Sequence, residues 1–132
     1  MVVLWVLFAI WLAISVEQGR DVTASEANDR IHQAFHLPAT ASHVNFSTNV
    51  RASRVTFAIS EADLARWCRE DGWTLVPLGN ESRPGFIEMQ GDGKWLCKRV
   101  VEQGLEFRKF DGAFWGVYDP SLGRAYVLFV GD

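Results

Sequence analysis

Residues 1–16 (MVVLWVLFAIWLAISV) carry no charged side chain and one polar one, Ser15, while every Lys, Arg, Asp and Glu follows them. A core helix of a water-soluble domain keeps a polar face toward solvent, and this stretch has none, which suits a signal peptide or a lipid-embedded helix. Sixteen residues at about 1.5 Å each reach roughly 24 Å, short of a hydrocarbon core of about 30 Å. Ala13-Ile14-Ser15 places small residues where a signal peptidase cleaving after Ser15 needs them. No Lys or Arg precedes Arg20, so neither a charged n-region nor a positive-inside asymmetry is present. Cleaved signal, uncleaved anchor and buried core helix are the three readings. The first two imply an exported protein, secreted or periplasmic, or one anchored with its domain on the extracytoplasmic side.

Without that segment about 115 residues remain, enough for one domain with a single core. The 13 basic and 16 acidic residues give a net charge of -3 and are interspersed, so no electrostatic footprint for nucleic acid exists. Cys68 and Cys97 would close a loop of about 30 residues if bridged in an oxidising compartment, or stay as two buried thiols. With no CxxC, a redox or nucleophilic role has no support. Asn45-Phe46-Ser47 and Asn80-Glu81-Ser82 match the glycosylation sequon.

Residues 17–24 are polar, contain Gly19 and read as a tether. Thr23 and Glu26 form a capping-box pattern ahead of Ala27, Ile31, Ala34 and Phe35 at helical spacing, with Pro38 ending the run, so residues 17–36 comprise tether and short helix. Alternation of Val44, Phe46 and Val50, then of Val55, Phe57 and Ile59, predicts two half-buried strands. Ser60 as N-cap, Leu64 and Trp67 as core contacts and Gly72 as left-handed C-cap predict the main helix over residues 60–71. Residues 73–78 return toward the sheet until Pro77, and residues 79–85 are a loop by composition. Gly91-Asp92-Gly93 favours a hairpin over residues 86–98, with a helix over 94–103 as the competing reading. Residues 105–110, 113–118 and 124–130 read as an antiparallel meander, the last strand apolar on both faces and therefore central or set against a partner. The fold expected is α+β: an antiparallel sheet of about five strands, one main helix on a face, and an apolar N-terminal helix ahead of a single domain over residues 37–132.

Side chains that carry chemistry elsewhere have plainer explanations here. His32 and His36 share a helix face at metal-binding spacing, but no HExxH arrangement or third ligand accompanies them, and His43 has no acid at a telling distance. Glu61 and Asp63 fit the favourable end of a helix dipole, and Glu70 and Asp71 its exposed end. No GxSxG elbow or phosphate loop occurs. Trp67, Trp73, Trp95 and Trp115 read as core, with an exposed binding role as the alternative for Trp95, beside the glycine-rich turn. No catalytic, cofactor-binding or metal-ligating residue is assigned, and no cofactor is implied.

The run Leu37-Pro38-Ala39-Thr40-Ala41-Ser42-His43-Val44 leads into two strands, and Phe57-Ala58-Ile59-Ser60-Glu61-Ala62-Asp63-Leu64 opens a helix. With Gly116-Val117-Tyr118-Asp119 and Gly123-Arg124-Ala125-Tyr126-Val127 near its other end, the chain resembles small bacterial exported or membrane-anchored α+β domains with an LPxSA-type opening motif, of planctomycete and actinomycete type. Thr40 stands where that motif usually has a small residue. The resemblance implies fold and location over about 95 residues, and brings no activity, cofactor or catalytic residue. The expected function is a non-catalytic extracytoplasmic binding or structural domain, with an envelope enzyme or enzyme inhibitor as the alternative. Its expected partners are the membrane through residues 1–16 if uncleaved, a protein or envelope component met through an aromatic sheet face or residues 79–94, and a second copy through the C-terminal strand.

Overall fold

The computed structural model describes residues 17–31, 36–48, 50–78 and 103–129 in full, and residues 86–89, 95–99 and 130 as backbone. The apolar segment 1–16, His32, Phe35, the loop 79–85, the Gly91-Asp92-Gly93 turn and the side chains of Trp95 and Cys97 lie outside the described residues. Among the described residues, no helix is long and apolar enough to cross a membrane.

In chain order the elements are β1 (Glu17–Val22), α1 (Ala24–Arg30), β2 (Ser42–Thr48), β3 (Ala52–Ala58), α2 (Glu61–Asp71), β4 (Thr74–Pro77), β5 (Phe86–Met89), β6 (Trp95–Arg99), β7 (Leu105–Lys109), β8 (Phe114–Asp119) and β9 (Arg124–Val130). Seven strands make one sheet in the order β1-β2-β3-β9-β8-β7-β4, and β5 and β6 pair separately. Every pairing is antiparallel.

This corrects the expected sheet of about five strands with one main helix: strands dominate, and both helices are short. The unforeseen strand is β1, read from sequence as tether; β4 matches the reading that residues 73–78 return toward the sheet until Pro77, and the two lie at the sheet's edges. Only Gly19 of β1 is buried, so the strand shows no apolar alternation. Gly19 pairs with Phe46, and a Cβ there would collide with the Phe46 ring. The β5–β6 pairing agrees with the hairpin reading.

Both helices lie on one face. One row of side chains crosses all seven strands: Leu75, Phe107, Gly116, Val127, Val55, Phe46 and Gly19. Ala24 and Ala27 of α1 and Leu64, Trp67 and Cys68 of α2 pack into the core that this row floors. Ser60 Oγ accepts the Asp63 N–H at 3.2 Å, and Gly72, at φ 78°, closes α2. The Tyr118 hydroxyl donates to the Ile59 carbonyl at 2.8 Å and so ties the entry of α2 to β8. Thr23 caps α1, which ends at Arg30, so His36 is not on that helix as the His32/His36 spacing supposed.

The reverse face is mixed in character. Across it run Val76, Glu106, Val117, Tyr126, Thr56 and Asn45, and beside them Thr74, Arg108, Trp115, Leu128, Arg54 and Ser47. Glu106 and Tyr126 in the first of these rows are fully buried.

Candidate functional site

Alternation along β7 sends Phe107 and Lys109 to the helix side and Glu106 and Arg108 to the reverse side. Phe110, next in sequence, has left the strand. It begins the turn to β8, where the Ala113 N–H donates to the Phe110 carbonyl at 3.0 Å around Asp111 and Gly112 at φ 54° and 90°. Those two angles make the type I′ turn that an Asp-Gly pair favours. Phe110 itself sits at φ 55°, a left-handed conformation costly for a bulky side chain, and its side chain is 63% exposed.

The ring of Phe110 ends a series of aromatic contacts that begins in the core. Phe57 meets Trp67 edge-on at 6.2 Å, Trp67 meets Trp73 at 5.1 Å, Trp73 meets Phe114 at 6.1 Å, and Phe114 meets Phe110 edge-on at 5.1 Å. The Lys109 ammonium stands 5.2 Å from the Phe110 ring centre. The exposed ring is thus held in one orientation by a rigid support.

Beside it opens a cleft of about 480 Å³ lined by Gly72, Thr74, Arg108, Lys109, Phe110, Asp111 and Gly112. Each cation in its wall has an anion. Glu106, buried on the reverse face, accepts from the Trp115 indole N–H at 3.1 Å and from the Arg108 guanidinium, and this bond raises the Arg108 pKa further above its ordinary value. Lys109 Nζ donates to Asp71 Oδ2 at 3.2 Å, and the Trp73 indole N–H donates to the same oxygen at 2.9 Å. The Phe110 ring and Lys109 stand on the helix side of this sheet end, whereas Thr74 and Arg108 belong to the reverse-face row, so what the arrangement offers on the helix side is an aromatic face next to a paired cation. It brings no nucleophile beside a base.

Asp71, read from sequence as a solvated helix-end acid, instead accepts from both Lys109 and Trp73, next in sequence to the cleft-lining Gly72. Glu61, Asp63 and Glu70 lie on α2 away from the cleft lining; Asp63 pairs with Arg66 at 3.3 Å. Trp67 and Trp73 are buried in the core, and Trp115 is half-buried on the reverse face. His43, expected to have no acid near it, contacts Asp21 at 2.6 Å across the β1–β2 pairing, where both residues have positive φ. That pair is fully on the surface. Cys68 is a free thiol buried in the core, and burial, reinforced by Asp71, pushes its pKa up to about 12. Among the described residues, no three metal-ligating side chains converge. Asn45 of the first sequon lies within β2 and accepts the Asp21 N–H at 2.8 Å; Asn80 of the second lies outside the described residues.

Phe110 is the functional candidate that sequence reading passed over. Its signal was phase, since an aromatic residue one step past an alternating strand and directly before Asp-Gly has no core to enter.

A scan against protein-family models returns no match for this chain, and neither the search of curated proteins nor that of solved structures returns one.

Proposed function

We propose that this chain is a non-catalytic extracytoplasmic binding domain, exported or anchored by residues 1–16, whose contact site is the cleft beside Phe110. The observation that carries the reading is the exposed Phe110 ring, held at positive φ against Phe114 and Lys109. An exposed aromatic residue in an unfavourable backbone conformation persists where its surroundings enforce it, and such positions cluster at ligand contacts. The apolar, uncharged segment supports the location.

The test is affinity purification of the full chain from solubilised membranes, run in parallel with Phe110→Asn, with mass spectrometry of the bait's N-terminus. Asn tolerates the left-handed conformation, so the variant keeps the turn and removes the ring. A companion retained by the wild type and lost from Phe110→Asn supports the reading. Equal recovery by both places the contact elsewhere, and no companion above background counts against a binding role. The N-terminal peptide shows whether cleavage follows Ser15.

A further inference from the structure

The apolar segment 1–16 joins the domain at Glu17, the first residue of β1. Strand register shows what else lies at that end of the sheet. Glu17 pairs with Thr48, Thr48 with Ser53, Ser53 with Phe129, Phe129 with Phe114 and Phe114 with Lys109, so one row of residues crosses from β1 to β7. Just beyond this row stand Val50, between β2 and β3, and Phe110, after β7. They are 59% and 63% exposed, the two highest values for large apolar side chains among the described residues. Five strand spacings put Phe110 roughly 24 Å across the sheet from Glu17, with Val50 on the near side of that span.

The charges at this end are matched. Glu17 pairs with Arg30 at 2.7 Å, Lys109 with Asp71 at 3.2 Å, and Arg108 with Glu106. Arg51 and Asp111, both exposed, are of opposite sign. Apolar tips on an end of balanced charge suit the boundary between headgroups and acyl chains of a bilayer, and do not call for anionic lipid. Two side chains are too few to recruit a free protein to a membrane. Beside an anchor they need only orient a domain that is already there, because the anchor makes the second contact intramolecular.

We infer that the end of the sheet carrying Val50 and Phe110 rests on the bilayer into which residues 1–16 insert, with the Phe110 ring among the lipid headgroups. This rests on the anchored form of the binding reading above and names the partner of its contact site. The opposite end, where Ala58 pairs with Arg124 and Arg124 with Asp119, then points away from the membrane, one strand length or roughly 20 Å further out.

The experiment places the purified full chain in phosphatidylcholine nanodiscs and records amide NMR signals with a gadolinium chelate carried on a lipid headgroup. Broadening should be strong at the Val50 and Gly112 amides, absent at Ser60 and Gly123, and unchanged when phosphatidylglycerol is added. Phe110→Asn keeps the left-handed backbone and removes the ring. It should cut the Gly112 broadening about twofold or more as the β7 side lifts from the lipid, while Val50, nearer the anchor, keeps its own. Leu122→Asn, which removes an exposed apolar side chain from the opposite end, should change neither.

Equal broadening at both ends, or the same Gly112 broadening in Phe110→Asn as in the wild type, overturns the inference. So does broadening that needs phosphatidylglycerol. Alkaline carbonate washing of vesicles holding the chain separates anchor from docking. Release of the chain ends the anchored reading and this inference with it, whereas retention without a gradient along the strands ends this inference alone. A protein companion lost from Phe110→Asn in the purification, with Gly112 unbroadened, gives the site to a protein instead and leaves the binding reading standing.

Discussion

Two glycines decide how closely aromatic rings lie on the sheet. Gly116 faces Phe107 across the β7–β8 pair, and a Cβ there would run into the ring. Phe107 cannot swing away, because Trp67 and Trp73 hold it edge-on at 6.0 and 5.3 Å. Gly116→Ala should therefore destabilise the fold by about 2 kcal/mol, read as a lower urea midpoint at an unchanged slope. Cys68 gives a second prediction at this scale. Its folded pKa is raised from 9.0 to about 12, so the native thiol keeps a proton that the unfolded chain releases. Its contribution is complete below pH 9 and is lost as pH rises toward 12, with a slope of up to about 1.4 kcal/mol per pH unit. Tyr118 is shifted in the same direction by burial, so Cys68→Ala isolates the cysteine share. Urea midpoints at pH 8 and pH 10 should fall more steeply for the wild type than for the variant. Residues of this kind were partly legible: Cys68 falls on the apolar side of a well-marked helix, whereas no pattern of residue types shows that Gly116 lies under a ring.

At the scale of elements, α1 is seven residues long, too short to persist without tertiary support. Arg30 supplies much of that support. Its guanidinium donates to Glu17 at 2.7 Å, to the Gln18 carbonyl at 2.7 Å and to Glu26 at 3.2 Å, and stands 4.9 Å over the Phe46 ring. Arg30→Ala should cost about 1.5 kcal/mol, and hydrogen exchange should show α1 and β1 loosening together before any other element. Arg30→Lys should recover only part of this, since an ammonium cannot reproduce the planar fork. The same contacts explain why β1 escaped sequence reading. It is fastened by a helix-borne arginine and a glycine facing Phe46, and neither appears as hydrophobic alternation. By contrast α2 was legible to within a residue, because Ser60 and Gly72 mark its ends chemically. The strands β2 and β3 were legible from alternating apolar residues, and β7, β8 and β9 as runs bounded by Asp111-Gly112 and residues 119–123, the last apolar on both faces. The cleft was legible in part: Asp111-Gly112 announced its turn, but Asp71 and Lys109 come together only through the fold.

For the whole molecule, the strand order places protection in the middle and exposure at the rims. Amides of β3, β8 and β9 should exchange slowest, at the rate of global unfolding, and those of β1 and β4 fastest. Equal exchange across the sheet would contradict the order. The rims are also where a second copy would have to pair, since β3 and β8 occupy both edges of β9. Each rim carries a deterrent, a bulged register between Gly19 and Val22 in β1 and Pro77 in the short β4.

The position of β9 has a consequence in time as well as in space. It is the last strand in sequence, yet it joins the β1–β3 meander to β7 and β8, pairing Ala52 with Val130 and Phe114 with Phe129. Until residues 124–130 arrive, β3 has a neighbour only on its β2 side, and Phe57 lacks its partner Ala125. Contacts so distant in sequence form slowly. A chain emerging amino end first from a ribosome therefore keeps its sheet open until the closing strand is delivered.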